Sequence, residues 1–324
     1  MTAKVIVTGG AGYIGSHICL SLAEAGFIPV TLDTLERGHR TAVQWGPLIV
    51  GDVNDQSMLR DLFAKHLPIA VIHCAAYTLV GESVEQPQRY LANNIDGTHT
   101  LLDAMLASGV DKLVFSSTSA VYGTPQSKTM DEAHRLDPQS PYGSSKAAAE
   151  RLIAGASGMR SVVLRYFNAA GADSRSRIGE AHEPETHLIP VVLDVAAGKR
   201  SALTIYGTDY PTADGTCVRD YVHVCDVADA HVAALQRLVS GGNSLLANLG
   251  HGEGFSVRQV IQAVERTTGK NIPQIAGPRR PGDPATVVAD CALARRELAW
   301  NPKRSTIDTI IADAWSWHRR LRGI

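Results

Sequence analysis

The sequence has little of what marks several protein classes. Its 324 residues include five cysteines, an odd number with no C-x-x-C pair, which favours reduced thiols over a disulfide framework. No apolar run approaches the roughly 18 residues of a membrane span, and the N-terminal run is too short for a signal peptide. A net charge of -1 gives no electrostatic reason to expect nucleic acid or an anionic membrane as partner. We therefore expect a cytoplasmic protein that holds any anionic ligand with local groups.

Short β-branched runs alternate with helix-length segments through the first half of the chain. The runs are VIVTG (5–9), PVTLD (29–33), PLIVGDV (47–53), AVIHCAA (70–76), KLVFSST (112–118) and SVVLRYF (161–167). Apolar strands separated by helices indicate a parallel sheet that is covered on both faces. The pattern predicts an α/β fold with a doubly wound parallel sheet of the Rossmann type.

After about residue 170 the pattern changes to loops rich in Gly, Pro, Asp and Arg, separated by single helices. This change predicts two domains, with the doubly wound domain at 1–170 and a smaller C-terminal α/β substrate lobe at 171–324. We expect segments near 203–240, including the strand ALTIYG and a helix, to return to the first domain.

Glycines follow the first predicted strand in TGGAGYIG, where Gly9, Gly12 and Gly15 are spaced three apart. Such glycines permit a tight turn and let a dinucleotide diphosphate approach a helix N-terminus, although a turn without a ligand is the alternative. Asp33 lies 18 residues after Gly15 (33 minus 15) and could bind a ribose diol, which favours NAD over NADP. Nearby Arg37 and Arg40 leave NADP open, and Asp52 is placed to meet the adenine side.

Tyr142 and Lys146 in SPYGSSK would share one face of a helix that opens at Pro141. Such a pair can arise by chance on a surface. To act as a base near pH 7, a tyrosine needs its pKa lowered by roughly 3 units, which corresponds to about 4 kcal/mol. Burial raises the pKa of a phenol and would add to this cost. A lysine about 5 Å away supplies roughly 3 kcal/mol, and an oxidised nicotinamide ring would supply the rest. Thr118, at the end of the fifth predicted strand, could relay the proton, although turn chemistry is the alternative reading of that serine- and threonine-rich stretch.

The glycine turn, Thr118 and the Y-x-x-x-K pair together resemble the extended short-chain dehydrogenase/reductase superfamily. Within it, VTGGAGYIGSH, VGES, LANNIDGT, SSTSAVYG, SPYGSSK, LRYFNAAGA, DGTCVRDYVHVCDVA and PRRPGD resemble the UDP-glucose 4-epimerase family over essentially the whole chain. The resemblance implies interconversion of UDP-galactose and UDP-glucose through a 4-keto intermediate, with tightly bound NAD, in a homodimer.

The resemblance also implies a role for particular residues. The catalytic residues are Tyr142, Lys146 and Thr118. The NAD contacts are Gly9, Gly12, Tyr13, Ile14, Gly15, Asp33, Asp52, Val53, Asn93, Tyr142 and Lys146. The substrate contacts are Thr118, Tyr142, Phe167, Asn168, His187, Leu188, Tyr206, Arg219, Tyr221, Arg280 and Asp283. Thr118 stands where many members carry serine, and Val287, beside the sugar's 2-substituent, could admit N-acetylated UDP-hexosamines.

A dehydratase and a non-catalytic regulator are the two alternative functions. A nucleotide-sugar dehydratase needs an acidic pair after the Ser/Thr, where this chain has Ser119 and Ala120. A non-catalytic NAD-sensing regulator would be expected to lack the tyrosine or the lysine.

No metal site is expected from the sequence. The stretch AHEPETH groups His182, Glu183, Glu185 and His187, but Pro184 and the spacing do not fit a helical H-E-x-x-H site.

Overall fold

A computed structural model describes residues 2–280 and 282–324. Met1, where the predicted first domain starts, and Pro281, within the PRRPGD motif, lie outside the described residues. The strands are β1 Lys4–Thr8, β2 Ile28–Asp33, β3 Leu48–Val50, β4 Ala70–His73, β5 Lys112–Thr118, β6 Arg160–Tyr166, β7 Asn168–Ala170, β8 Leu203–Tyr206, β9 Val218–His223, β10 Leu245–Leu249, β11 Gly254–Ser256, β12 Gln274–Gly277 and β13 Thr286–Val287.

The helices alternate with these strands. They are α1 Tyr13–Glu24, α2 Gln56–His66, α3 Val80–Glu85, α4 Pro87–Leu91, α5 Gly97–Ala107, α6 Pro141–Gly155, α7 Leu188–Ala196, α8 Val224–Val239, α9 Val257–Thr268, α10 Ala292–Glu297 and α11 Ile307–Arg322. Among the described residues, no helix combines the length and the apolarity that crossing a membrane requires.

Seven of the described strands form one parallel sheet in the order β10-β6-β5-β4-β1-β2-β3. The doubly wound α/β fold predicted from the sequence is confirmed, and each of the six predicted strands overlaps an observed one. The strand order reverses between β1 and β4. In such sheets the crevice for a ligand lies at this reversal, beyond the carboxyl ends of the strands.

Helices cover both faces of the large sheet because its strands are apolar on both faces. In β1, Val5 and Val7 point into a core shared with α1 and α8, whereas Ile6 points into a second core shared with α2, α5 and α6. Each of these three side chains is fully buried. The helix α6, which carries Tyr142 and Lys146, is therefore fixed by its apolar face against the sheet.

The smaller lobe is built around β9, which pairs with β7, β11 and β13. Its separate apolar core joins α7, α9 and α11. The helix α9 begins with a capping box between Ser256 and Gln259 and ends at Gly269, whose φ of 67° suits glycine. These features stabilise the smaller lobe around its own core.

The strand predicted to return to the large sheet is a different one from ALTIYG. That segment forms β8, which pairs with β12, whereas β10, beyond the predicted range 203–240, pairs with β6. The burial patterns explain the error. Along β8, buried and exposed residues alternate, as in a sheet with one solvated face, whereas the last three residues of β10 are all buried. The helix α8 does pack on α1 and the large sheet.

Candidate active site

The glycine turn between β1 and α1 lies at the crevice of the large sheet. Gly9 has a φ of 70°, and a Cβ atom there would lie 2.7 Å from the Ala75 nitrogen. A Cβ atom at Gly15 would lie 2.1 Å from the Gly9 carbonyl oxygen, so only glycine lets α1 approach the turn. Gly12 is the N-cap of α1 and offers no side chain. This cradle, with the positive end of α1 facing it, fits a dinucleotide diphosphate.

Tyr13 and Ile14 follow the turn and face different ways. The Tyr13 hydroxyl donates to the Gly171 carbonyl oxygen at 2.7 Å, and burial raises the pKa of this phenol well above its usual value. Ile14 is partly buried and packs on the core beneath α1. Tyr13 therefore ties the predicted cofactor turn to the loop that leads into the smaller lobe.

Asp33 ends β2 beside the glycine turn, as its spacing predicted. Its two carboxylate oxygens accept the N–H groups of Ala11 at 3.0 Å and Leu35 at 2.8 Å. Burial is the largest influence and raises the pKa of Asp33, while these two N–H groups lower it. The carboxylate is thus oriented at the edge of the crevice, where a ribose diol could donate to its remaining lone pairs.

Arg37, whose positive charge made NADP an alternative cofactor, already forms an ion pair with Glu82. Its Nη2 atom lies 2.8 Å from Glu82 Oε1, and Glu82 also accepts from Arg89 at 3.2 Å. A 2′-phosphate would have to displace a carboxylate and meet the Asp33 charge. This arrangement favours NAD.

The remaining predicted cofactor residues line the same side of the sheet. Asp52 is exposed and accepts from the Asn54 N–H at 2.8 Å, whereas Val53 is buried and contacts the start of α5. Asn93 lies in a π-helical turn, residues 92–96, between α4 and α5, and its Nδ2 donates to Asn94 Oδ1 at 2.9 Å. Such turns occur often at functional sites.

Helix α6 begins as the sequence predicted. Ser140 is the N-cap, its hydroxyl accepts the Gly143 N–H at 3.1 Å, and Pro141 occupies the first turn. Tyr142 and Lys146 are both buried on this helix. A Cβ atom at Gly143 would lie 2.5 Å from the Ala120 carbonyl oxygen, so the glycine lets α6 lie against the turn that follows β5.

That turn holds Thr118, the last residue of β5. Its Oγ1 accepts the Ala120 N–H at 3.2 Å, which leaves its own proton free to donate. Burial raises the pKa of Tyr142 to about 12, and a hydrogen bond from Thr118 opposes the rise. The structure therefore brings the phenol and the threonine hydroxyl together.

Lys146 does not act on Tyr142 as the sequence argument assumed. Within the described residues, no cation contributes to lowering the pKa of the Tyr142 phenol. The Lys146 Nζ atom lies 4.4 Å from the centre of the Phe115 ring. Burial lowers the pKa of Lys146 to about 8, against opposing effects of Cys74 and Glu150. Burial is therefore the largest influence on the pKa of both side chains.

The predicted nucleotide contacts gather at the ends of the smaller lobe's strands. Asn168 on β7 stands beside Tyr221 on β9, and Phe167 directly before β7 is buried. Arg219 on β9 is paired with Asp283, a partnership that sequence reasoning missed. Asn168, Arg219 and Tyr221 therefore lie on two paired strands of the smaller lobe.

Two neighbouring arginines of the smaller lobe stack on tyrosines. The Arg280 guanidinium lies 4.3 Å from the centre of the Tyr206 ring, and Arg279 lies 4.4 Å from that of Tyr210. Arg279 also binds Asp209 at 2.8 Å. Planar guanidinium groups in this arrangement can bind phosphate bidentately.

His187 precedes α7, which begins at Leu188, and lies within a cluster of charged side chains. Its Nδ1 atom is 2.8 Å from Glu180 Oε1 and 3.1 Å from Glu185 Oε1. Burial lowers the pKa of His187, but the two carboxylates raise it to a net value of about 10. His182 joins the cluster, and Glu180 occupies the place that sequence reasoning gave to Glu183.

Sequence reasoning also missed two groups behind the catalytic pair. Asn94 donates to Ser145 Oγ at 3.0 Å and exchanges hydrogen bonds with the Tyr77 backbone, which joins α6 to the loop after β4. Glu150, one helical turn after Lys146, forms a buried ion pair with Arg165 at 2.5 Å. The four-residue spacing from Lys146 to Glu150 was the available signal.

Comparisons with known proteins agree with this geometry. The NAD dependent epimerase/dehydratase family model matches residues 5–250. The chain is 49% identical to a UDP-glucose 4-epimerase of Rhizobium leguminosarum bv. trifolii over 319 residues, covering 98% of this chain and 97% of the relative.

Solved structures are equally similar. The UDP-glucose 4-epimerase from Brucella ovis in complex with NAD has a TM-score of 0.95 and 46% identity, covering 97% of this chain and 98% of the other. The UDP-glucose 4-epimerase from Stenotrophomonas maltophila, with bound NAD and formylated UDP-arabinopyranose, has a TM-score of 0.96, 40% identity and 99% coverage of both chains. With such coverage, the chain belongs to the NAD dependent epimerase/dehydratase family.

Proposed function

We propose that this protein interconverts UDP-galactose and UDP-glucose with tightly bound NAD. The observation that carries the proposal is the burial of Tyr142 and Lys146 on one helix, with the Thr118 hydroxyl hydrogen-bonded to Tyr142 at the end of β5, in a doubly wound sheet whose first strand leads into the glycine turn. The names of the relatives support the choice of substrate.

The residues of the crevice fit NAD. Gly9, Gly12 and Gly15 would hold the diphosphate, and Asp33 would hold the adenine ribose. Asp52, Val53 and Asn93 would line the parts of the crevice that hold the adenine and nicotinamide rings. When bound there, NAD supplies reversible acceptance of a hydride from carbon 4 of the hexose.

Tyr142 and Thr118 move the proton. Once Tyr142 has lost its own proton to solvent, Thr118 Oγ1 would pass its proton to the phenolate oxygen while it accepts the proton of the sugar 4-hydroxyl, and the reverse transfers restore the hydroxyl. With a pKa of about 12, the buried phenol is protonated at pH 7. Ionising it then costs about 7 kcal/mol, or five units at 1.36 kcal/mol each. Lys146 lies on the same helix face, but its Nζ atom contacts the Phe115 ring, so its charge would offset this cost only if the side chain turned toward Tyr142.

An epimerase must present both faces of carbon 4, so it must grip the nucleotide and leave the hexose free to turn. The strong anchors proposed here are nucleotide anchors, namely Arg219, Arg280 and Asp283, with Asn168, Tyr221, His187, Leu188, Phe167 and Tyr206 around them. Charge-assisted hydrogen bonds from two arginines suit a diphosphate.

The same family name covers dehydratases, which also begin by oxidising carbon 4. Elimination of water requires a carboxylate next to the hydroxyl at the end of β5. Here Ser119 and Ala120 occupy the turn, and the nearby carboxylate of Glu150 is engaged by Arg165. We therefore propose epimerisation rather than dehydration.

The test is an incubation of the purified protein with UDP-galactose and NAD. We expect UDP-glucose to form without net NADH and without a 4-keto-6-deoxy product. Tyr142→Phe should lower the rate by roughly 10³-fold, within the range for general acid–base catalysis. Tyr122→Phe is the matched control, because it removes a buried hydroxyl that donates to Asn248 at 2.6 Å, outside the proposed relay.

No interconversion by the wild-type protein would overturn the proposed function. Near-normal interconversion by Tyr142→Phe would instead overturn only the assignment of the proton relay. The predicted homodimer, the cytoplasmic location and the acceptance of N-acetylated UDP-hexosamines stay predictions.

A further inference from the structure

The loop that precedes α7 brings together two imidazoles and two carboxylates. Each of Glu180, His182, Glu185 and His187 offers one donor atom, and the four atoms all lie within 4.8 Å of one another. Glu180 Oε1 is 3.0 Å from His182 Nδ1 and 2.8 Å from His187 Nδ1. Glu185 Oε2 is 3.9 Å from His182 Nδ1, and Glu185 Oε1 is 3.1 Å from His187 Nδ1.

These separations match those of a tetrahedral metal site. With bonds of about 2.1 Å to nitrogen and oxygen, neighbouring ligands of a tetrahedral Zn²⁺ are about 3.4 Å apart. Four of the separations, 2.8 to 3.9 Å, lie on both sides of that value, and the ligand atoms all lie within 4.8 Å of one another. Side-chain shifts of about 1 Å would complete the geometry.

The burial of the carboxylates also requires positive charge. The side chains of Glu180 and Glu185 are only 9% and 7% exposed. Two adjacent buried carboxylates are costly unless a cation or strong hydrogen bonds compensate them. A divalent cation supplies this charge at a single point.

Hydrogen bonds hold the main chain at Glu180 and the carboxylate of Glu185. The Glu180 main-chain carbonyl oxygen accepts from Trp317 Nε1 at 2.7 Å, which ties this residue to α11. Glu185 Oε1 accepts the backbone N–H groups of Thr186 and His187, both at 2.8 Å. Metal ligands characteristically have such supporting contacts.

We propose that Glu180, His182, Glu185 and His187 form a structural site for a borderline-soft divalent cation, represented by Zn²⁺. Two imidazole nitrogens and two carboxylate oxygens suit Zn²⁺, whereas Mg²⁺ and Ca²⁺ take sets of oxygen ligands. The cation would fasten the loop to the start of α7. His187 is also among the proposed nucleotide contacts, so the two proposals share one residue, but Zn²⁺ binding can be tested without the reaction.

The experiment titrates Zn²⁺ alone into tag-free protein that has been treated with a chelator, followed by calorimetry. We expect one site in the wild-type protein and no comparable site for Mg²⁺. Glu185→Gln and His182→Asn should each weaken Zn²⁺ binding at least tenfold. Glu183→Gln is the matched control, because Glu183 lies in the same loop and outside the cluster.

The competing state is a set of ion pairs between protonated imidazoles and the carboxylates, without a metal. It would give no Zn²⁺ site in the wild-type protein, or equal affinities in all four proteins, and either result overturns the proposal. His182→Asn should fold even if Glu185→Gln does not, because the His182 side chain is 28% exposed.

Substitution with Co²⁺ should give the visible absorption bands of a tetrahedral site. A thiolate charge-transfer band would overturn the assignment, because it would place the metal on a cysteine.

Discussion

Two arginine–carboxylate pairs lie at opposite sides of the candidate active site, and they differ in burial. Behind the catalytic helix, the side chains of Arg165 and Glu150 are 4% and 7% exposed. On the nucleotide side, those of Arg219 and Asp283 are 15% and 25% exposed. The first pair also includes a hydrogen bond from Ser117 to Glu150 and the stacking of Arg165 on Tyr122. The buried pair is part of the framework, and the more exposed pair can exchange partners.

This difference fits the two tasks proposed for the site. The proposed proton transfer by Tyr142 needs a fixed, dry environment, which burial supplies at the cost of shifted pKa values. Nucleotide binding needs charged side chains that can exchange a partner within the protein for the diphosphate. Asp283 can release Arg219 to a diphosphate at little cost, because water still screens the pair.

The largest expected effect comes from breaking the buried pair. Glu150→Gln should lower the free energy of unfolding by about 3–5 kcal/mol, because it leaves the Arg165 charge buried and uncompensated. Urea unfolding at pH 7 measures the loss. A matched change in an exposed pair, Asp308→Asn beside Arg266, should have almost no effect. A loss below about 1 kcal/mol for Glu150→Gln would show that the pair is not part of the framework.

The second prediction concerns the stability cost of the buried Lys146. Its pKa is lowered from 10.5 to about 8, chiefly by burial, so the unfolded chain binds this proton more tightly. The cost, about 3 kcal/mol for 2.5 units, is complete below pH 8 and disappears as the pH rises from 8 to 10.5. Lys146→Met should therefore raise the free energy of unfolding by about 3 kcal/mol at pH 7.

The pH dependence separates this explanation from simple repacking. The gain of Lys146→Met over the wild-type protein should shrink through pH 8 to 10.5 in urea unfolding experiments. Lys199→Met, at an exposed position, is the control and should change neither the stability nor its pH dependence. A gain that is constant with pH would contradict the desolvation argument.

The sequence predicted the framework better than the charged contacts. The six strands and the start of α6 follow from local signals, namely β-branched runs and the Ser140–Pro141 cap. The placement of ALTIYG in the large sheet was wrong because this strand alternates between buried and exposed residues, which suits a sheet with one solvated face. The pairing of Arg219 with Asp283 spans 64 residues, and no local pattern encodes such a contact.

The electrostatics of the catalytic pair shows the same limit. The spacing of Tyr142 and Lys146 placed both side chains on one helix face, and the structure buries both. Spacing does not reveal how deeply a group is buried, and burial is the largest influence on both pKa values. The entry of Glu180 instead of Glu183 into the histidine cluster likewise depends on how the loop folds.

The third prediction tests the nucleotide side with two adjacent arginines. Arg280→Met should weaken UDP binding tenfold or more, about the 1.4 kcal/mol or above that a charge-assisted hydrogen bond contributes. Arg279→Met should change it less than twofold, because Arg279 is already bound to Asp209 and stacked on Tyr210. Titration calorimetry with UDP measures both. Equal losses would mean that only the net positive charge of the loop matters.

The smallest expected effect is on the exchangeable pair itself. Asp283→Asn should change the free energy of unfolding by less than about 1 kcal/mol, because Arg219 can turn to water when its partner loses its charge. The contrast with Glu150→Gln is the decisive measurement, since both substitutions remove one charge from an arginine–carboxylate pair. Asp283→Asn should also make inorganic pyrophosphate bind more tightly, because no carboxylate then competes for Arg219. Weaker pyrophosphate binding, or a loss of stability as large as that of Glu150→Gln, would mean that Asp283 holds Arg219 rigidly in place.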